Sequence, residues 1–227
     1  MIFSNRVIMR ILMTIISAII ISGFISCKSA GSEFNVYEYD KKFRARFIEA
    51  FPVLAGEIVD FTKKSKGTCV DIGCGPGYLA LAVAKITELK VYALDISEQA
   101  VDLAKQYAEK EGLSKRVFPV HGDVHKMPFD DDSMDLIVSR GSLPFWSDKT
   151  LAFKEIRRIL KPDGKACIGC GFGSGYVKIA DMSHSKNRKP PKKFRHDDIL
   201  QSLVDAGITE YTVIDDYNKG YWIIISK

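Results

Sequence analysis

The residues best placed to do chemistry are three acids and a glycine turn. The stretch Val70-Asp71-Ile72-Gly73-Cys74-Gly75-Pro76-Gly77-Tyr78 enters from an apolar run and leaves into an Ala/Leu-rich helical pattern. Glycines at alternate positions let the backbone turn sharply and let a ligand approach where a Cβ would collide. The helix that follows presents free N–H groups at its start. A dinucleotide fingerprint is spaced G-x-G-x-x-G, whereas this turn reads G-x-G-x-G and Tyr78 stands in the place of the third glycine. Asp71 precedes the first glycine, and a carboxylate there suits a cationic or amino-bearing ligand better than a pyrophosphate. Asp95 and Asp123 follow later apolar runs in the same manner. No catalytic triad and no metal-ligand spacing is visible. Cys167 and Cys170 form a C-x-x-C within an apolar strand pattern, where positions three apart face opposite sides, so they read as separate strand cysteines.

These groups need a scaffold that brings strand ends together. Strands are predicted near 68–73, 90–95, 116–121, 135–139, 165–170, 209–215 and 220–226. Helices are predicted near 78–87, 98–111, 148–160 and 196–206. Upstream, Phe43, Phe47, Ile48, Phe51, Leu54 and Ile58 recur at helical steps, and Pro52 should divide that stretch into two helices. Alternating strands and helices with apolar strands imply an α/β fold with a mostly parallel, doubly wound, seven-stranded sheet covered on both faces. The short turn 215–220 makes the last two strands an antiparallel hairpin. Ligands then bind at the carboxyl ends of the strands, at the switch point. Asp71 to Gly77, Asp95, Asp123 and Ser139 all fall at such ends.

The 227 residues, 46% hydrophobic and 27% charged, suit one globular domain after a special N-terminal segment. The division is 1–27 as a signal or membrane-anchor segment, 28–34 as a linker and 35–227 as the domain. Within it, 171–195 is a flexible insert, basic at its end through Lys186, Arg188, Lys189, Lys192, Lys193 and Arg195. The net charge of +5 is mild and local, and too few aromatics accompany it to argue for nucleic acid. The insert reads as a solvated loop first, then as a lid or a contact for an acidic substrate or anionic headgroups. Arg6 and Arg10 precede the apolar run Ile11–Ile25, which as a helix is short of a bilayer core. Phe24-Ile25-Ser26-Cys27 resembles a lipoprotein processing site. The lysines and arginines that follow favour a cytoplasmic domain behind a membrane anchor. An exported lipoprotein, or a cytoplasmic protein started at Met9 or Met13, are the alternatives.

The D-x-G-x-G-x-G turn resembles the first motif of the class I S-adenosylmethionine-dependent methyltransferases. Val91-Tyr92-Ala93-Leu94-Asp95 is similar to that family's second strand and His121-Gly122-Asp123-Val124 to its third-strand turn. Met127-Pro128-Phe129 with Ser133–Ser139 resembles the segment entering strand four, and Arg158–Gly164 the turn before strand five. Five motifs in order cover about residues 35–227. The similarity is to the small-molecule branch (type 11) that includes ubiquinone and menaquinone C-methyltransferases.

The resemblance implies a Rossmann-like fold and S-adenosyl-L-methionine as cofactor. Gly73, Gly75 and Gly77 would allow backbone approach, and Asp71 would hold the amino-acid end through the turn. Asp95 would accept the ribose hydroxyls. Asp123 would receive the adenine amino group, with Ile96 and Val124 on the ring, and Ser139 would complete the cofactor set. Tyr39, Arg140 and Trp146 are substrate candidates, for a small molecule that is lipophilic or acidic, and His125 is the candidate base. A nicotinamide-dependent oxidoreductase is disfavoured by Tyr78 and the glycine spacing. A non-catalytic, cofactor-binding protein of the same fold at the membrane is the non-enzymatic alternative. The sequence leaves oligomeric state and acceptor open.

Overall fold

The computed structural model describes residues 35–171, 196–216 and 220–227. The expectations for 1–27, for the linker 28–34 and for all of the basic insert beyond Gly171 lie outside the described residues.

Helix α1 (Val36–Phe47) starts at Asn35, whose side chain accepts the Glu38 N–H, the usual N-cap arrangement. A single 3₁₀ turn, Ile48–Ala50, separates it from α2 (Phe51–Thr62). The two helices are as expected, but the break lies ahead of Pro52. The proline occupies the first turn of α2, where its missing N–H would have no partner in any case. Then follow β1 (Thr68–Ile72), α3 (Tyr78–Ile86), β2 (Lys90–Asp95), α4 (Glu98–Lys110), β3 (Val117–His121) and β4 (Met134–Arg140). The chain continues through the 3₁₀ turn Leu143–Phe145, α5 (Lys149–Ile159), β5 (Leu160–Cys170), α6 (His196–Asp205), β6 (Tyr211–Asp216) and β7 (Gly220–Ser226).

One seven-stranded sheet runs in the order β3-β2-β1-β4-β5-β7-β6. The five strands from β3 to β5 are parallel, and β7 pairs antiparallel with both β5 and β6. This is the Rossmann-like, mostly parallel sheet with a terminal hairpin. β7 lies between β5 and β6 although it follows both in the chain. β5 begins earlier than its apolar run: Leu160 pairs with Met134, and pairing resumes at Lys165 opposite Leu136 after a register shift. Pro162, Asp163 and Gly164 fall in that interval, which is why the sequence there reads as a turn.

Two cores flank the sheet, as the alternation of strand side chains requires. Cys69, Val91, Ala93, Leu136 and Val138 face α2, α3 and α4, whereas Val70, Ile72, Leu94 and Ile137 face α5 and α6. α4 is capped by Ser97, which accepts the Ala100 N–H. Gly112 and Gly207, just past the ends of α4 and α6, have left-handed φ of +69° and +74°, the usual conformation of a glycine that ends a helix. The acidic run 130–132 is tied down in part, because Asp131 pairs with Arg158 and Asp132 with Lys227.

Candidate active site

The strand order reverses between β1 and β4, and in sheets of this kind the ligand crevice lies outside the carboxyl ends of the strands at that point. The turn after β1 forms one wall. Gly73 and Cys74 both donate their N–H groups to Leu94 O, at 2.8 and 3.0 Å, which ties the turn to β2. Gly73, Gly75 and Gly77 all have left-handed φ values of +66°, +52° and +81°. Two of them require glycine for different reasons. A Cβ on Gly73 would lie 2.4 Å from the Ser142 Cβ, so the turn and the loop after β4 touch through a bare backbone. A Cβ on Gly75 would meet nothing within 4 Å and would project into open space.

Asp71, on β1, is buried on the α3 side, and its Oδ2 accepts the Ala80 N–H at 3.1 Å. It holds the start of α3 from within the protein. Burial is the main reason its pKa rises to about 7; nearby Asp95 adds to the rise, while the Ala80 N–H and Arg140 oppose it. Asp95, at the end of β2, accepts Gly75 N–H on Oδ2 at 2.8 Å and Ser97 N–H on Oδ1 at 2.9 Å. A carboxylate offers about four acceptor sites, so it is fixed in direction and can still receive hydroxyl donors. Beside it Ile96 is 67% exposed, an apolar side chain left in water at the rim of the crevice.

Asp123 follows β3. Its Oδ1 accepts the His125 backbone N–H at 2.9 Å and faces the His125 Nδ1 at 2.6 Å. These two contacts, the backbone one first, hold its pKa below the usual range. Its side chain is about half exposed, at 47%.

Four expectations change on contact with the geometry. His125 is committed at both ring nitrogens: Nδ1 meets Asp123, and Nε2 accepts the Asp148 N–H at 3.2 Å. Because Nε2 accepts, Nδ1 carries the proton of the neutral ring. The ring thus joins the turn after β3 to Asp148, the N-cap of α5. Ser139 is fully buried and does not line the crevice; its hydroxyl donates to Ile72 O at 2.9 Å and contacts Ser142 Oγ at 2.6 Å. Trp146 is core, with its indole N–H donating to Ser142 Oγ at 3.1 Å and its ring edge-on to Phe153. Val124 is buried in the core on the α5 side, because its apolar side chain packs under the turn.

Arg140 and Tyr39 come together at the end of β4. The Arg140 Nε donates to Gly171 O at 3.0 Å, and the guanidinium carbon lies 5.2 and 5.8 Å from the Phe43 and Phe51 rings, within cation–π range. Tyr39 stacks on Phe43 at 5.2 Å. Burial raises its phenol pKa, and the Arg140 charge opposes that rise without cancelling it. Tyr39, Phe43 and Arg140 therefore form a half-buried aromatic patch with a cation at this end of the sheet, over Phe51 of the core.

Sequence reasoning missed Ser142 and Asp40. Ser142 binds Ile72 O and receives the Trp146 N–H, so it locks β1, β4 and the following turn. Asp40 accepts the hydroxyls of Tyr78 and Tyr107. Its signal was its position: it lies three residues before Phe43 and seven before Phe47, an acid on the apolar stripe of α1. Among the described residues, no cluster of three or more potential metal-binding side chains occurs.

A family model described as a methyltransferase domain matches residues 70–168. A crystal structure of a protein from Methanococcus maripaludis, classed with the S-adenosyl-L-methionine-dependent methyltransferases, is 36% identical and superposes with a TM-score of 0.76. The match covers 85% of this chain and 91% of that one. A sterol 24-C-methyltransferase of Gibberella zeae is 42% identical over 95 residues, which are 42% of this chain and 25% of the relative. A demethylmenaquinone methyltransferase of Lactobacillus johnsonii is 31% identical over 128 residues, 56% of this chain and 48% of the relative. The chain thus spans between a quarter and a half of the length of these two curated relatives. The glycine turn, its partner Asp95 and the strands β2 to β4 fall within the matched segment, and the match to the Methanococcus maripaludis structure extends the likeness over 85% of the chain. The chain belongs to the class I S-adenosyl-L-methionine-dependent methyltransferases.

Proposed function

We propose that the protein transfers a methyl group from S-adenosyl-L-methionine to a small-molecule acceptor. The observation that carries this reading is the Asp95 carboxylate, held by the N–H groups of Gly75 and Ser97 at the edge of an open glycine turn. An ionised acceptor fixed in this way suits the paired hydroxyls of a ribose. The exposed Ile96 suits the face of an adenine ring, and Asp123 suits its amino group. The open space at Gly75 accommodates the part of the ligand that passes closest to the backbone.

The bound cofactor supplies a methyl group already activated on a sulfonium. The protein's own residues then have to position rather than activate. Asp71 fixes the turn through Ala80 and α3. Tyr39, Phe43 and Arg140, backed by the buried Phe51, make the opposite wall, exclude water, and hold the acceptor in line with the methyl group. The rings favour a lipophilic body, and the guanidinium favours an acidic or electron-rich end. His125 is a structural staple in this reading and moves no proton. The proposal also retains residues 1–27 as a membrane anchor with the domain on the cytoplasmic side, on the sequence pattern alone. Fractionation of cells with and without that segment tests it, and a soluble full-length protein would overturn it.

Calorimetric titration with S-adenosylmethionine, S-adenosylhomocysteine and NAD tests the main reading. Micromolar binding of the first two and none of NAD is expected, with loss of binding in Asp95→Ala. Failure of the wild-type protein to bind either sulfur ligand would overturn the reading. Tight binding with no turnover across lipophilic and acidic acceptors would favour a non-catalytic binder instead.

A further inference from the structure

Helix α1 lies beside Arg140, held by apolar and polar contacts of different kinds: Phe43 and Phe47 pack half-buried on the core and Phe43 stacks on Tyr78. Of its twelve residues Val36 and Asp40 are buried. Val36 packs on Ala100 and Leu103 of α4. An isolated helix of this length is marginal in water, so its place depends on its contacts. The most directional of these is polar. The Asp40 carboxylate accepts the Tyr78 hydroxyl on Oδ1 and the Tyr107 hydroxyl on Oδ2, the latter at 2.6 Å. Tyr78 and Tyr107 stack on each other at 5.6 Å, and Arg44 lies 4.6 Å over the Tyr107 ring. Burial first, and the bond to Asp40 second, push both phenols above their ordinary range, so both remain donors.

A buried carboxylate is costly unless it is satisfied, and a plain apolar contact would hold two helices together without it. What the carboxylate adds is register, since only one setting of α1 places Asp40 between the two phenols. That register has two readouts. On one side, Tyr78 is the first residue of α3 and directly follows Gly77 of the glycine turn. On the other side, the same helix carries Tyr39 and Phe43 to Arg140.

We propose that Asp40 is a positioning residue that latches α1 onto the residue following the glycine turn, so that cofactor in the turn and docking of α1 over the acceptor side stabilise one another. The proposal rests on the methyltransferase reading above. Because linkage is reciprocal, anything that frees α1 must weaken cofactor binding by the same factor that cofactor binding tightens α1. An undocked α1 opens the aromatic wall for acceptor entry, and cofactor loading favours the closed arrangement.

The test uses the full chain. Amide hydrogen exchange of residues 36–47 is followed with and without S-adenosylhomocysteine, and its affinity is measured for wild type, Asp40→Ala, Asp40→Asn and Tyr107→Phe. In wild type the ligand should slow exchange in α1 by about tenfold. In Asp40→Ala that protection should vanish and affinity should fall by a similar factor. Asp40→Asn keeps one acceptor and should recover part of both. Tyr107→Phe loses one hydroxyl from a partly exposed ring, keeps the fold, and should lose part of both. A purely structural role would lower the melting temperature of the free protein and leave the ligand effect on α1 intact, and that outcome overturns the latch. Binding to wild type with equal affinity in all variants also overturns it, while the methyltransferase reading stands. No binding to wild type overturns both.

Discussion

The two walls of the crevice are built on different principles. The cofactor side, from β1 to β3, is made largely of backbone: a turn of left-handed glycines, two N–H groups on Asp95, and one N–H on Asp71. The proposed acceptor side is made of side chains drawn from distant segments: Tyr39 and Phe43 from the start of the domain, backed by the buried Phe51, and Arg140 from the end of β4. A wall of backbone is hard to alter without breaking the turn and serves one ligand. A wall of side chains can be rebuilt by substitution while the strand order stays the same, which suits a family of shared cofactor and varied acceptors.

Substitutions within the turn should break this contrast most sharply. Gly73→Ala combines a left-handed φ with a clash against Ser142 and is expected to destabilise the protein by on the order of 3 kcal/mol, seen as a lower denaturation midpoint. Gly75→Ala has the same φ problem but an open Cβ direction, so it should cost only about 1 kcal/mol of stability while reducing cofactor affinity more than tenfold. Equal losses of stability in the two variants would remove the distinction between a glycine needed for packing and one needed for the ligand.

Asp71 gives the next effect, and it depends on pH. Its folded pKa of about 7 lies above its ordinary value, so the folded state binds more protons than the unfolded state between roughly pH 4 and 7. Its contribution to stability therefore falls as pH rises through that window and stays low above it. Asp71→Asn should be stabilised relative to wild type at pH 8, by at most on the order of 4 kcal/mol, and should lose the advantage near pH 4. A difference independent of pH would mean that Asp71 is not held as a strained buried acid.

Smaller effects sharpen the comparison. Ile96→Ser removes an apolar group that is 67% exposed, so stability should change by less than about 0.5 kcal/mol while cofactor affinity falls roughly tenfold. Unchanged affinity would detach Ile96 from the site. Arg140→Met should shift acceptor preference away from acidic compounds and move cofactor affinity by no more than about twofold. A larger loss of cofactor affinity would show that the two walls are not separable at Arg140.

The same contrast explains how much was legible in the sequence. The strands and helices around the cofactor side fall close to where local pattern put them, because alternation, caps and glycines are local signals. The left-handed turn at Gly73 and Gly75 and the placement of Asp95 at a strand end follow from the same neighbourhoods. Ser139 and Trp146 misled because a strand-end serine and a loop tryptophan have no local mark of which way they face. Their directions are set by Ser142, which joins three segments far apart in the chain. His125 misled for a similar reason: its second partner, Asp148, lies on another element. Asp40 carries only the mark of an acid on the apolar stripe of α1, and its meaning depends on two tyrosines brought near by the fold. The early start of β5 was hidden because Pro162, Asp163 and Gly164 carry turn chemistry inside a strand that shifts register.

The placement of β7 between β5 and β6 has a consequence for how the chain is made. The parallel strands β1 to β5, which carry the glycine turn, Asp95 and Arg140, can pair while the ribosome is still adding residues, since each finds a neighbour among those already present. β6 cannot, because among the described residues its one neighbour in the sheet, β7, is made after it. Until β7 emerges, β5 keeps a bare edge of apolar residues that Trp222, Ile223 and Ile225 later cover, an exposed strand of the kind that recruits other chains. The interval of greatest risk to a newborn chain is therefore the one between completion of β5 and emergence of β7, after strands β1 to β4 are in place.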